Sequence, residues 1–309
     1  MNMTKDTVLE VHNLRRSFDK KEVVRDVSFT VEKGEVFGFL GPNGAGKTTI
    51  IRMILGLIKR DSGTVTINGY SIDDQFMEAI RHVGAIVETP SFYTHLSGYA
   101  NLTLIRNLHP HIAKQRIDEV LEMVHLSKVA KRKVSTYSLG MKQRLGLARA
   151  LLQHPTIVFL DEPTNGLDPQ GILEMREMIT TLAQEQQITF IITSHILHEI
   201  EQVCDRVAIL REGSIIANGF VKELLASDDE AIELRTKQLE ASEKIATSMT
   251  FVKSITRSES SLVVKIEKGF SSQLNKKLVE AGIDVEYVIP QQQSLEKLFL
   301  QLTDGGQVS

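Results

Sequence analysis

The nine consecutive residues Gly41-Pro42-Asn43-Gly44-Ala45-Gly46-Lys47-Thr48-Thr49 bring together the groups that hold a polyphosphate. Glycines let backbone N–H groups converge on phosphate oxygens at a helix N-terminus, and the lysine and hydroxyl add a positive charge and a hard ligand. Lys47 is expected to reach the β- and γ-phosphates and Thr48 to hold Mg²⁺. A second candidate is Asp161-Glu162, which follows the apolar run Ile157-Val158-Phe159-Leu160. Open α/β sheets bind ligands at the C-terminal ends of such strands. Asp161 suits an outer contact to Mg²⁺, and Glu162 suits a general base for an attacking water. An acidic pair at a strand end is ordinarily a solvated loop; the phosphate-type loop upstream makes it a candidate site. A third segment, Tyr137-Ser138-Leu139-Gly140-Met141-Lys142-Gln143-Arg144, opens a strongly helical stretch. By itself Ser138 reads as a helix cap, although the free N–H groups and dipole there could also hold an anion.

These residues need a scaffold that places strand ends beside helix starts. VFGFL before the glycine-rich loop is apolar without alternation, as in a strand buried on both faces, and TIIRMILGLI after it has apolar residues at helical spacing. TIVFLDEP and ITFIITSH are further short buried strands, each followed by a helical stretch, the alternation of a parallel sheet. Residues 7–40 read as strands, 64–88 return to strand character, and RVAILREGSIIANG reads as a hairpin turning at Glu212-Gly213. Between Thr89 and Gln153, patterns such as QRIDEVLEMVHL are helical, which predicts a helical insertion between core strands. Beyond about Lys222 a polar segment, ASDDEA, suggests a linker to a small α+β domain.

The composition narrows the function. At 309 residues and 42% hydrophobic, the chain can bury one large core plus a small one. A net charge of −3 provides no global attraction for nucleic acid, so no nucleic-acid partner is expected. The single cysteine, Cys204, cannot form an intrachain disulfide, and nothing asks for an oxidising compartment. The apolar stretch Ile50–Ile58 is broken by Arg52 and falls short of the roughly 20 residues a spanning helix needs, and the start lacks a signal-peptide core. A membrane function would require another chain to cross the bilayer.

The phosphate loop, the SLGMKQR segment, the acidic strand, Asn165-Gly166-Leu167-Asp168 and Thr193-Ser194-His195 occur in the order of an ABC transporter nucleotide-binding subunit, which the chain resembles over residues 7 to about 220. One departure is Leu139, which stands where the usual signature has a second glycine. The resemblance implies an α/β fold: an ABC-type P-loop NTPase core, with a mixed sheet, N-terminal antiparallel strands and a helical subdomain at about 89–153, in a domain of residues 1–221. Residues 222–309 would form the small accessory or regulatory α+β domain. It further implies ATP and Mg²⁺ as cofactors, Phe18 against adenine, and His195 as γ-phosphate sensor. A head-to-tail homodimer would place each ATP between one phosphate loop and Ser138 and Gly140 of the other subunit, with Asn165 to Asp168 at the interface. Separate transmembrane permease subunits would hold the protein at the cytoplasmic face of the membrane.

The signature and the tail Ser294-Leu295-Glu296-Lys297-Leu298-Phe299-Leu300-Gln301-Leu302-Thr303 resemble antibiotic exporters of the bacitracin-resistance and lantibiotic-immunity type. Val83-Gly84-Ala85-Ile86-Val87 leads into Glu88, where most of the family has Gln. Glu here resembles the lantibiotic-immunity subgroup, and the analogy makes Glu88 a third candidate near the metal; drift at a tolerant position is the plain alternative. The expected function is ATP-driven export of a peptide antibiotic, lantibiotic or similar drug. A non-transport ABC ATPase or a nucleotide-dependent regulator is the alternative, disfavoured by the single ATPase unit, the lack of a long coiled coil and the presence of Glu162.

Overall fold

The computed structural model describes residues 7–226, 229–291 and 293–304. The chain divides into two compact units, Met1–Val221 and Lys222–Ser309. The first opens with two long strands, β1 (Thr7–Phe18) and β2 (Lys21–Glu32), and continues through β3 (Val36–Leu40) into α1 (Lys47–Ile54). There follow β4 (Ser62–Ile67), β5 (Tyr70–Ser71), α2 (Phe76–Ile80) and β6 (Val83–Ile86). Three helices, α3 (Gly98–Asn107), α4 (Gln115–Met123) and α5 (Leu139–Leu151), form the insertion before β7 (Ile157–Asp161). The unit is completed by α6 (Pro169–Gln186), β8 (Thr189–Ser194), α7 (Leu197–Val203), β9 (Arg206–Arg211) and β10 (Ser214–Phe220).

Two sheets share the core. A six-stranded sheet has the order β10-β9-β3-β8-β7-β6, parallel except for the β9–β10 hairpin, and an antiparallel sheet has the order β2-β1-β4-β5. Every residue of β3 and of β7 is buried, which is why neither alternates in sequence. Between the sheets Phe29, Phe37 and Phe39 pack with ring centroids 4.9–5.4 Å apart. The chain is thus α/β with the mixed strand orientation expected. The stretch 64–88 differs in part: after β5, Asp73-Asp74 interrupt the strand pattern, and α2 follows with Ala79 fully buried. Phe76 of this helix covers Gly56, where an added Cβ would lie 2.7 Å from its ring.

A single turn, α8 (Val221–Leu224), carries the chain out of the first unit. The second unit runs β11 (Asp229–Thr236), α9 (Leu239–Thr247), β12 (Val252–Arg257), β13 (Leu262–Glu267), α10 (Ser271–Glu280), β14 (Val285–Gln291) and α11 (Leu295–Asp304). Its sheet has the order β12-β13-β11-β14 with all neighbours antiparallel, the split β-α-β arrangement. Ile232, Leu234, Val264, Ile266, Leu274 and Leu278 are at most 1% exposed, so this unit has its own core.

Candidate active site

The chain leaves β3 between two parallel neighbours, turns through Gly41–Gly46 and enters α1 at Lys47. Gly46 caps that helix with φ of 104°, where a Cβ would lie 3.0 Å from the Val23 carbonyl, so this position requires glycine. The first-turn N–H groups of α1 have no intrahelical partners and face the loop side. Lys47 is only 5% exposed; its Nζ donates to the carbonyls of Gly41 at 2.7 Å and Pro42 at 3.3 Å. The ammonium also lies 3.4 Å from Glu162 Oε1.

β7 lies beside β8, with Asp161 opposite Thr193. The Thr193 hydroxyl donates to Asp161 Oδ1 at 2.6 Å and accepts the Glu162 backbone N–H at 2.9 Å. Thr48 Oγ1 donates to both carboxylate oxygens of Asp161, at 3.1 and 2.9 Å. Glu162 has φ of 49°, left-handed for a non-glycine residue, and leaves β7 with its second oxygen 2.7 Å from His195 Nδ1. A carboxylate only accepts, so His195 Nδ1 carries the donated proton and Nε2 is left for another partner. Val23, Asn43–Thr49, Glu162, Asn165 and His195 line an open cleft of about 270 Å³.

A hydroxyl and a carboxylate oxygen side by side, Thr48 and Asp161, are hard donors suited to a divalent cation that keeps water and phosphate ligands. Glu88 takes a different position. It follows β6 with φ of 69°, is not among the residues lining the cleft, and pairs its carboxylate with Arg52 of α1. Phe18 ends β1 at the tip of the hairpin with β2, 40% exposed, with the Arg16 guanidinium 4.6 Å from its ring centroid. It too lies outside that lining.

A second cleft, of about 370 Å³, lies where α5 and α6 both begin. Ser138 Oγ accepts the Met141 N–H at 3.2 Å, and Asp168 Oδ1 accepts the Gly171 N–H at 3.0 Å, so each caps its helix. Ser138, Gly140, Gly166 and Asp168 share this cleft, and Leu139, 40% exposed, lies against Gly166. Most candidate residues therefore gather in two clefts on one unit, while Glu88 and Phe18 line neither. Thr193 does not read as a site residue from the Thr193-Ser194-His195 motif; its signal is the polar end of an otherwise apolar strand.

A lysine-bearing phosphate loop, an adjacent hydroxyl–carboxylate pair and a glutamate held by histidine define a P-loop nucleoside triphosphatase. The comparisons refine that class. A family model described as ABC transporter matches residues 24–165. The chain is 40% identical over 303 residues to the bacitracin transport ATP-binding protein BcrA of Bacillus licheniformis, covering 98% of this chain and 99% of that one. It is 40% identical to the uncharacterised ABC transporter ATP-binding protein YdbJ of Bacillus subtilis, covering 98% and 97%. A lantibiotic transport ATP-binding protein of Streptococcus pyogenes, SrtF, is 39% identical over 209 residues, covering 68% and 89%. Among solved structures, cbiO1 of Clostridium perfringens, described as part of the ABC transporter complex cbiONQ, superposes with a TM-score of 0.67 at 25% identity, covering 79% of this chain and 96% of that one. The ADP conformation of the ATP-binding cassette MJ1267 gives 0.65 at 26%, covering 71% and 95%.

The chain belongs to the ABC transporter ATP-binding proteins. It is an ATP-binding, ATP-hydrolysing subunit.

Proposed function

We propose that this subunit powers export of a peptide antibiotic, lantibiotic or related drug through separate transmembrane permease subunits, which hold it at the cytoplasmic face of the membrane. The observation that carries the substrate class is the similarity to the bacitracin transport protein along nearly the whole chain, including the second unit. Among the described residues no helix is long and apolar enough to cross a membrane, in keeping with permeases on other chains.

The chemistry follows from the cleft. Bound phosphates take over the Lys47 ammonium from the Gly41 and Pro42 carbonyls. Thr48 and Asp161 would hold Mg²⁺, which would supply charge neutralisation at the phosphates. Glu162 accepts a proton from water as its oxygen attacks the γ-phosphorus and the bond to the β–γ bridging oxygen breaks. His195 fixes the Glu162 carboxylate through Nδ1 and leaves Nε2 for a γ-phosphate oxygen. Phe18 takes the adenine on its open face. The second cleft is the other half of the site: Ser138 and Gly140 meet the ATP of a second copy, with Asp168 at the interface, so ATP closes a homodimer and hydrolysis reopens it.

The test is a deletion strain exposed to a panel of peptide antibiotics. Increased sensitivity to bacitracin or a lantibiotic, restored by the wild-type gene and not by Lys47→Ala, is the expected result. Unchanged sensitivity across the panel overturns the substrate class.

A further inference from the structure

Glu88 departs from the glutamine that the family resemblance leads one to expect, and it has a partner on α1. Thr48 and Arg52 are four residues apart and so lie on one face of α1, one turn from each other. Thr48 faces Asp161, while the Arg52 guanidinium meets the Glu88 carboxylate from the end of the neighbouring strand β6. The left-handed backbone at Glu88, φ 69°, turns the chain at this point. Both side chains keep contact with solvent, 36% exposed for Arg52 and 67% for Glu88. A screened pair of this kind is weak and exchangeable.

Charge explains why such a partner belongs here. Asp161 and Glu162 already bring two carboxylates to the strand ends, with Lys47 the cation beside them. A third carboxylate adds repulsion toward an anionic polyphosphate. We infer that Arg52 is a positioning residue that neutralises Glu88 and holds it aside, so that this chain tolerates an acid beside its nucleotide cleft. Arg52 matters to nucleotide binding through Glu88 and not through direct contact with phosphate. The inference rests on the nucleotide-site reading above and adds a residue to it.

The experiment is a double-mutant cycle on the full chain: wild type, Arg52→Gln, Glu88→Gln and the double variant. ATP binding is titrated by calorimetry in EDTA at low ionic strength, where exposed charges act most strongly. Arg52→Gln weakens ATP binding about fivefold, the upper end for an exposed charge. In the Glu88→Gln background the same change has almost no effect, Arg52→Lys restores the wild-type value, and the fivefold loss fades in ~1 M salt. An equal loss in both backgrounds, or no loss in the wild-type background, overturns the inference. Wild-type protein that does not bind ATP at all would instead overturn the nucleotide-site reading. Thermal melts of the four nucleotide-free proteins separate misfolding from this effect, and if Arg52→Gln does not fold, Arg52→Met takes its place in the cycle.

Discussion

Lys47 and Glu162 lie 3.4 Å apart, yet they should fail in different ways when replaced. Lys47 is a buried cation held by two carbonyls, and the proposed site gives it phosphate as its ligand. Lys47→Ala is expected to weaken ATP binding by at least ~10-fold, since a charge-assisted contact is lost; equilibrium titration with ATP checks this. Thr193 supports the carboxylate side. Thr193→Val keeps the shape but leaves the Glu162 N–H and Asp161 Oδ1 without this partner, at a cost of about 1–3 kcal/mol. The expected outcome is a lowered Tm and a lowered kcat, both largely restored in Thr193→Ser; wild-type values in the Val variant would remove Thr193 from the site. The phosphate loop and acidic pair are legible because glycines and carboxylates stand out beside apolar strands. Thr193 is less so, because a threonine at a strand end also reads as an ordinary strand former. Only the register opposite Asp161 distinguishes it. The pairing of Glu88 with Arg52 has the same character, since it joins two elements that nothing local connects.

Elements, unlike pairings, follow largely from pattern. β3, β7 and β8 are recognisable as apolar runs because a parallel strand buried on both faces has no polar side to show. The insertion is legible from the helical spacing of α4 and from the signature that opens α5. Two features resist reading. α2 is a single short helix inside a strand-rich stretch, and the β1–β2 hairpin turns through Asp19 and Lys20 at φ of 46° and 68° without any glycine to mark it. Close approaches are hidden as well. Gly84 of β6 lies under α5, and a Cβ there would be 2.6 Å from the Ala150 carbonyl oxygen. Backbone cannot yield as a side-chain tip can, so Gly84→Ala should destabilise the first unit by about 1–3 kcal/mol, as overpacking does. The strand it disturbs leads to Glu88, so the fall in Tm should come with altered ATPase activity. A variant with the wild-type Tm would show that α5 moves freely on β6.

On the scale of the whole molecule, each of the two units has a core of its own. The polar segment ASDDEA does not behave as the linker expected from its composition: Asp229 to Ala231 belong to β11, and Ser227 and Asp228 lie outside the described residues. The strand order of the second unit is not visible in sequence, because the pairings of β11 with β13 and β14 are non-local. Lys47, Thr48, Asp161, Glu162, Thr193 and His195 all lie in the first unit. A chain of residues 1–226 should therefore bind ATP with a Kd within about threefold of the full chain, as expected for an independent domain. Loss of binding in a folded fragment would make the second unit part of the nucleotide site. Glu162→Gln puts to the test the proposed role of Glu162 as general base of an ATPase completed by a second copy. In Mg-ATP this variant should bind nucleotide, hydrolyse it at least ~100-fold more slowly than wild type, and elute as a dimer in gel filtration with light scattering. Hydrolysis at the wild-type rate would rule out Glu162 as general base, and a persistent monomer with ATP bound would rule out completion of the site by a second copy.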